Sequence, residues 1–457
     1  MSHTIAAIAT PLATGGVSMI RISGDKAIAV AERVFRAANQ KLLSSLDGYM
    51  AAYGGIYNEQ NEQIDDGVAL VFRAPKSYTG EDVVEISCHG GIYITREVLR
   101  LILQNGARLA EAGEFSKRAF LNGKMSLTQA EAVMDLINSH NSQALKSAKA
   151  QMDGALYQKI EGIKASLLDI AGHLAAWVDY PEEDIEEVEQ EHLLASLKQA
   201  ETVMNELLRT FDTGKILREG VETVIVGKPN VGKSTLMNLL AGCEKSIVTD
   251  IAGTTRDVVE ECVHIGNAML RLADTAGIRE TNDVVEKFGV ELALKRIQTA
   301  GLVLAVFDYS SELTDEDEKI IHSILEQQVP AIAIINKTDL NAKLNEQYIK
   351  NNFKHIVYTS VDEPNSLPLL ASEIDAVLNL IHLDTSSGMI ANERQRICAL
   401  QARNCIKDAS DTLEAGYTLD AVTVSIDDAL HALLELTGER VTESVVNQVF
   451  HRFCVGK

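Results

Sequence analysis

The stretch that decides the fold is Gly227-Lys228-Pro229-Asn230-Val231-Gly232-Lys233-Ser234. It fits the pattern G-x-x-x-x-G-K-[ST]. The aliphatic run Val224–Val226 precedes it and a helical run, Leu236–Leu240, follows. That strand–loop–helix context is what a phosphate cradle requires. Glycines let backbone N–H groups approach phosphate oxygens, and the helix N-terminus adds positive potential. Lys233 is placed to reach the β- and γ-phosphates and to act in catalysis, and Ser234 to ligate Mg²⁺. Asn230, Val231, Gly232 and Thr235 complete the expected nucleotide-binding set here.

Two further motifs lie downstream. Asp274-Thr275-Ala276-Gly277 follows the apolar stretch Met269–Ala273. A carboxylate at that strand end suits a Mg²⁺ shell, and Gly277 offers an N–H to the γ-phosphate. Asn336-Lys337-Thr338-Asp339 follows the strand-like run Ala331–Ile335. Guanine presents N1–H and an exocyclic N2–H₂, two donors that one carboxylate accepts together. Adenine would face Asp339 with a bare acceptor, an unsatisfied contact worth about 1–3 kcal/mol. Following a phosphate loop at about 100 residues, with DTAG between, this motif marks a GTPase domain. Thr359-Ser360-Val361 matches the usual second base-contacting loop loosely, with Ser360 in the contacting position.

Ras-like enzymes place a water-orienting Gln directly after the DTAG-type residues. Here the position holds Ile278, which is apolar, and no arginine finger is assignable. Another carboxylate or cation must contribute. The amide oxygen of Asn230 could coordinate a monovalent cation beside the phosphates, adding positive charge there; a simple turn residue is the alternative. Thr249-Asp250-Ile251-Ala252-Gly253-Thr254-Thr255-Arg256-Asp257 reads as the switch segment, with Thr255 facing Mg²⁺ and nearby carbonyls available to the second cation.

Texture along the chain divides it. Residues 1–119 read as an α+β domain: Val17–Ile22, Gly67–Phe72 and Asp82–Ser87 are β-rich, and Ile92–Gln104 has helical periodicity. Ser126 with Gln129 is a helix-start pattern. Residues 120–218 then read as helical, interrupted by an acidic stretch between Asp179 and Glu191 that reads as a solvated helix start or loop. Strand-like and helical runs alternate over 219–380, which predicts a parallel-sheet α/β domain. Residues 381–457 are helical again. The fold class is therefore an α+β N-terminal domain, a discontinuous helical domain, and a Ras-like α/β P-loop GTPase domain inserted into it.

Composition bounds the function. The chain has 457 residues, and 42 Lys+Arg against 65 Asp+Glu leave −23. Such a chain repels polyanions at long range and is not itself the main phosphate-gripping surface for a nucleic acid. The longest aliphatic runs, such as Leu302–Phe307, fall far below the ~18 apolar residues of a membrane span. The N-terminus has no signal-peptide pattern, so a cytoplasmic protein without a membrane role is expected. Six cysteines are scattered without a CxxC pair and read as reduced thiols. Cys454 and Cys88-His89 are ambiguous between reactive and structural roles; for the Cys88-His89 pair the structural reading is preferred.

Taken together, Gly227–Thr235, Thr249–Asp257, DTAG and NKTD resemble the MnmE (TrmE) family of tRNA-modifying GTPases. Further blocks carry the same resemblance: Ala9-Thr10-Pro11, Gly15-Gly16-Val17, Ile20-Arg21-Ile22-Ser23-Gly24, Ser77–Asp82, Gly113–Phe120 and the terminal Phe453-Cys454-Val455-Gly456-Lys457. Essentially the whole chain is covered. The resemblance implies a homodimer formed through the N-terminal domain, and hydrolysis stimulated by potassium. Carried over by position, K⁺ would be held by Asn230, Thr249, Ile251 and Thr254, and Mg²⁺ by Ser234 and Thr255. The GTP site would comprise the phosphate loop, Thr249–Thr255 (with Asp250, Ala252 and Gly253), Asp274, Thr275, Ala276, Gly277, Asn336, Lys337 and Asp339. The water-orienting glutamate falls on Glu286, which seen bare is one acidic residue in a charged helix start. A one-carbon tetrahydrofolate, the 5,10-methylene form or a 5-formyl analogue, would be bound by Arg21, Glu85, Lys124 and Lys457. A folate has a guanine-like donor edge, which Glu85 could read, and an anionic tail. Residues 96–124 carry six Lys/Arg against three Asp/Glu, a local reversal of the acidic total, although scattered basic residues read first as a solvated face.

The implied activity is GTP hydrolysis coupled to modification of the wobble uridine (U34) of certain tRNAs. A FAD-containing MnmG-like partner would join in a heterotetramer or larger assembly and supply most of the tRNA contact. Two rivals share the GTPase core. An Era- or EngA-like ribosome-assembly GTPase would carry a KH-type domain. After residue 380 there is no G-x-x-G loop, and 7 Lys+Arg stand against 11 Asp+Glu, which disfavours it. The other rival is a regulatory GTP-binding switch with no modifying role.

Overall fold

A computed structural model describes residues 3–179, 190–241, 245–246, 261–272, 294–360, 366–380, 384 and 386–457. It divides into two compact units: Met1–Met134 with Leu430–Lys457, and Asp135–Ala429.

The first unit is built on a seven-stranded sheet in the order β3-β4-β5-β6-β2-β1-β7. Its strands are β1 (Ile5–Ile8), β2 (Val17–Ser23), β3 (Phe35–Ala37), β4 (Met50–Tyr57), β5 (Gln63–Phe72), β6 (Val83–His89) and β7 (Arg108–Leu109). All pairings are antiparallel except β1 with β7. The β-rich segments read from sequence thus become β2, β5 and β6, and the helix Ile92–Gln104 forms over the residues its periodicity marks. Strand alternation explains the layering. Ile20 and Ile22 of β2, Val84 and Ile86 of β6, and Ala69 and Val71 of β5 point to one face. There they pack with Ile28, Val30 and Val34 of helix Ala27–Val34 and with Val98, Leu101 and Ile102. The opposite face carries Arg21 and Glu85, which are directly opposed in the β2–β6 register.

The C-terminal tail belongs to this unit. The Phe450 ring lies 6.1 Å from that of Phe120 and 5.1 Å from that of Phe453. Phe115 N donates to Lys457 O at 3.2 Å, and Gly113 N to Cys454 O at 3.4 Å. Gly456 has φ +104°, and a Cβ there would lie 2.4 Å from Ile8 O. The F-C-V-G-K tail therefore needs a glycine at its turn to reach the sheet edge.

The second unit combines helices with a second seven-stranded sheet, in the order β14-β13-β12-β8-β11-β10-β9. These are β8 (Val221–Val226), β9 (Lys245–Ser246), β10 (Glu261–Ile265), β11 (Ala268–Leu272), β12 (Leu302–Asp308), β13 (Ala331–Asn336) and β14 (His355–Tyr358). Strands β11, β8, β12, β13 and β14 are parallel; β10 and β9 run antiparallel at the edge. Both faces of the parallel part are buried. Leu302, Leu304, Val306, Ile332 and Ile334 face one core, and Val303, Ala305, Phe307, Ala333 and Ile335 the other. This is the expected Ras-like α/β architecture. Strand order reverses at β8, so the loop after β8 opens at a topological switch point, where α/β sheets bind ligands.

Helices Ser142–Met152, Ala155–Asp179, Gln190–Arg209, Phe211–Glu219 and Glu393–Glu414 complete the second unit. Gln190–Arg209 packs along Glu393–Glu414, so helical segments from both sides of the α/β portion meet, as a discontinuous helical domain demands. Asn141 caps the first of these helices and its Nδ2 donates to Asn267 O, 2.9 Å away in the β10–β11 turn. Asn267 in turn donates to both carboxylate oxygens of Asp375, at 3.0 and 2.8 Å. Most of the acidic stretch, residues 180–189, lies outside the described residues. Among the described residues no helix is long and apolar enough to cross a membrane.

A buried ion network fixes the first unit. Arg118 donates to Glu81 at 2.9 Å, to Glu114 at 2.9 Å and to His3 O at 2.7 Å. Burial opposes ionisation of Glu114, but Arg108, the Glu111 N–H and Arg118 together hold its carboxyl below the ordinary 4.5. Its contribution to stability is therefore complete above that value and is lost as pH falls through the lowered folded value. Arg118→Met should destabilise the protein by about 1–3 kcal/mol, because Glu81 loses this ion-pair partner while Glu114 keeps only Arg108. Urea unfolding followed from pH 7 to pH 3 checks both statements: the variant should show a lower midpoint at neutral pH and a shallower loss on acidification.

Candidate active site

The loop after β8 cannot be held by sheet pairing, and its backbone is unusual. Gly227, Asn230 and Gly232 have φ of +152°, +61° and +102°. At Gly232 a Cβ would lie 1.9 Å from Asn336 Nδ2, so only glycine fits. Val231 is fully buried and anchors the loop in the core that also holds Leu236, on the helix Lys233–Ala241. Asn230, Ser234 and Thr235 are exposed at the loop mouth. Lys233 Nζ donates to Gly227 O at 2.7 Å and to Lys228 O at 2.8 Å. The expected phosphate-loop residues are thus gathered in one turn at a helix N-terminus, where anions are favoured.

The NKTD motif sits at the end of β13 and reaches this loop across β12. Asn336 is buried; its Nδ2 donates to Val231 O at 2.9 Å and its Oδ1 accepts from Thr359 Oγ1 at 3.2 Å. Lys337 also has a left-handed backbone, φ +64°. Its Nζ donates to Asn230 O at 2.7 Å and to Asp308 Oδ2 at 2.5 Å. Burial raises the Asp308 carboxyl, but the Lys337 and Ser310 donors outweigh it and hold the group below its ordinary value. Asp339 is exposed beside them, available to a base. Thr359 and half-buried Ser360 border a recess of about 220 Å³ that Thr235, Leu239 and Asn336 also line. Ser360 thus shares one recess with Asn336 of the NKTD motif. Val361 lies outside the described residues, as do Thr249, Asp250, Ile251, Ala252, Gly253, Thr254, Thr255, Asp274, Thr275, Ala276, Gly277, Ile278 and Glu286.

Sequence reading missed Asp308, the residue that fixes Lys337. The signal available was an acid ending the apolar run Leu302–Phe307, at the C-terminal edge of the sheet. Lys228 occupies a spacer position in the motif. Its Nζ donates to Asp317 Oδ2 at 2.9 Å and to Glu312 O at 3.0 Å.

A second constellation lies on the polar face of the first sheet. Arg21 Nε donates to Glu85 Oε1 at 2.8 Å and Arg21 Nη1 to Gly456 O at 3.2 Å. The guanidinium lies 5.6 Å from the ring centres of both Tyr78 and Phe115, a cation–π arrangement. Burial and the neighbouring Arg21 charge push the Lys457 ammonium below its ordinary value, against the pull of Glu85. Arg21, Glu85 and Lys457 are thus brought together. Lys124 borders an adjoining recess of about 590 Å³, with Asp25, Glu81 and Asn122, and its Nζ donates to Pro75 O at 2.9 Å. Ser23, two residues from Arg21 on the same face of β2, is buried and donates to Glu81, which lines that recess, at 2.7 Å. Tyr78, Phe115 and Glu81 were not singled out from sequence, although each lies in a quoted family block.

The thiols divide. Cys88 is buried, and burial pushes it up to about 11, so it is an inert core group. Its neighbour His89 is exposed and pairs with Asp65 at 2.6 Å. Cys454 is exposed in the tail.

Comparison with known proteins places the chain in a family. Residues 127–454 match the family model described as the MnmE helical domain. Residues 4–124 match the one described as the GTP-binding protein TrmE N-terminus. The chain is 43% identical to the tRNA modification GTPase MnmE of Lysinibacillus sphaericus (strain C3-41) over 459 residues, spanning 99% of each chain. It is 40% identical to that of Bacillus subtilis (strain 168), spanning 99% of this chain and all of the relative. With both family models matched in order and relatives aligned end to end, the chain belongs to the MnmE family of tRNA modification GTPases.

Proposed function

We propose that this chain, a GTP hydrolase acting in tRNA modification, works with a FAD-containing partner resembling MnmG. Together they install the aminomethyl or carboxymethylaminomethyl group at C5 of the wobble uridine of certain tRNAs. The observation that carries the nucleotide half is the junction of the phosphate loop with the base-reading motif. Asn336 holds Val231 O and Lys337 holds Asn230 O, so the groups that grip phosphates and those that face guanine form one piece.

In this reading Asp339 accepts both guanine donors, and Lys233, kept in place by Gly227 O and Lys228 O, directs its remaining donor at the β- and γ-phosphate oxygens. Mg²⁺ would be held by Ser234 and Thr255, and K⁺ by Asn230, Thr249, Ile251 and Thr254. Asn230 and Ser234 are exposed residues at the loop mouth, and their side-chain oxygens are of a kind that ligates such cations. When bound, the cations would supply positive charge beside the transferring phosphoryl group, where an arginine finger would otherwise act. Glu286 orients the attacking water. GTP hydrolysis drives domain movement and not the carbon–carbon bond formation.

Arg21, Glu85, Lys457 and Lys124 would bind the one-carbon tetrahydrofolate, with Glu85 and the cations matched to its pterin edge and anionic tail. The protein would be a cytoplasmic homodimer. Its −23 charge leaves most of the tRNA grip to the partner, since phosphate contact rests on Lys and Arg.

Nucleoside analysis of tRNA from cells lacking this protein is the direct test: the C5 group on the wobble uridine should disappear, and unaltered tRNA would overturn the proposal. Asp339→Asn should shift preference from GTP toward XTP, because the amide meets guanine's donor edge with a donor of its own. Competition binding reads this, and an unchanged GTP affinity would contradict it. Glu286→Ala should slow hydrolysis by about 100-fold or more while GTP affinity stays near normal. Single-turnover kinetics separate the two quantities; weakened binding with intact turnover would refute the assigned role.

A further inference from the structure

We infer that Lys228, through its ion pair with Asp317, is a positioning residue for the phosphate loop and for Lys233. The inference rests on the GTPase reading of this site. The loop contains several left-handed residues and no sheet pairing, so its course depends on side-chain tethers. Asn336 and Lys337 hold its later part, at Val231 O and Asn230 O. Neither touches its first turn.

That first turn is held from the other side. Lys228 Nζ reaches Asp317 Oδ2 at 2.9 Å and Glu312 O at 3.0 Å. The Asp317 side chain is 1% exposed and that of Lys228 15%, so water barely screens the pair. Asp317 is itself rigid. Thr314 N and Thr314 Oγ1 both donate to the same Oδ2, each at 3.0 Å, at the start of helix Asp315–Gln327. The positive end of that helix favours the carboxylate. Asp317 Oδ1 is buried with no hydrogen-bond partner among the described residues, so the donors on Oδ2 alone set the carboxylate's orientation.

The geometry links this anchor to the chemistry. Lys228 O is one of the two carbonyls that accept from Lys233 Nζ, the other being Gly227 O. The peptide that meets the phosphate-binding lysine is thus suspended between the end of β8 and a buried carboxylate. A loose first turn would let Lys233 drift from the geometry the transferring γ-phosphoryl group demands, where small misplacements are expensive in rate. Base recognition through Asn336 and Asp339 would remain.

The test is Lys228→Met, which keeps the aliphatic stem and removes the charge. We expect kcat for GTP hydrolysis to fall about 10- to 100-fold. GDP affinity should stay within about two-fold, and Lys228→Arg should recover most of the rate. Should Lys228→Met fail to fold because Asp317 is left uncompensated, the double variant Lys228→Met with Asp317→Asn removes that charge, and its kcat is read instead. A folded variant with wild-type kcat would overturn the inference, as would equal losses in GDP affinity and rate. Wild-type protein that binds no GTP would instead sink the GTPase reading beneath it.

Discussion

The structure turns on one hydrogen bond, from the buried Asn336 amide to Val231 O. The two residues are far apart in sequence: Asn336 ends β13 and Val231 lies in the loop after β8, strands that do not pair with each other because β12 lies between them. Breaking that bond would strand an amide and a carbonyl in the protein interior, at about 1–3 kcal/mol for each. The bond also dictates composition nearby. Gly232 must lack a side chain because the amide occupies the space a Cβ would take. Lys337 repeats the arrangement one residue on, with Asp308 holding its ammonium over Asn230 O. A loop that sheet geometry leaves unsupported is made rigid by the motif that reads the base.

The first unit solves a similar problem with charge and aromatic faces. Arg21 is pinned by Glu85, by Gly456 O and by the Tyr78 and Phe115 rings, so a cation is held on a sheet face without full burial. The terminal Lys457 joins it only because the tail is tied to Gly113 and Phe115 by backbone hydrogen bonds. Residues from opposite ends of the chain therefore share one charged surface, and the tail forms part of that surface.

Much of this was legible in the sequence for a physical reason. Phosphate loops and NKxD motifs are local in sequence and demand particular residues, so Gly227–Ser234 and Asn336–Asp339 announce themselves. The periodicities of Ile92–Gln104 and of β2, β5 and β6 were readable because their buried faces repeat at regular steps. What stayed hidden depends on distant partners. Asp308 and Asp317 are ordinary acids until β12 and the following helix bring them to Lys337 and Lys228. The stacking of Tyr78 and Phe115 on Arg21 likewise needs three separate elements to converge.

The β10–β11 turn shows what such convergence does mechanically. Asn267 is tied by its carbonyl to the Asn141 cap and by its nitrogens to Asp375. The hairpin behind it is a registered pair, stiff along its length. In the chain it joins the expected switch segment to the DTAG motif. A displacement of the turn would therefore break polar bonds at both its anchorages, at the Asn141 cap of helix Ser142–Met152 and at Asp375.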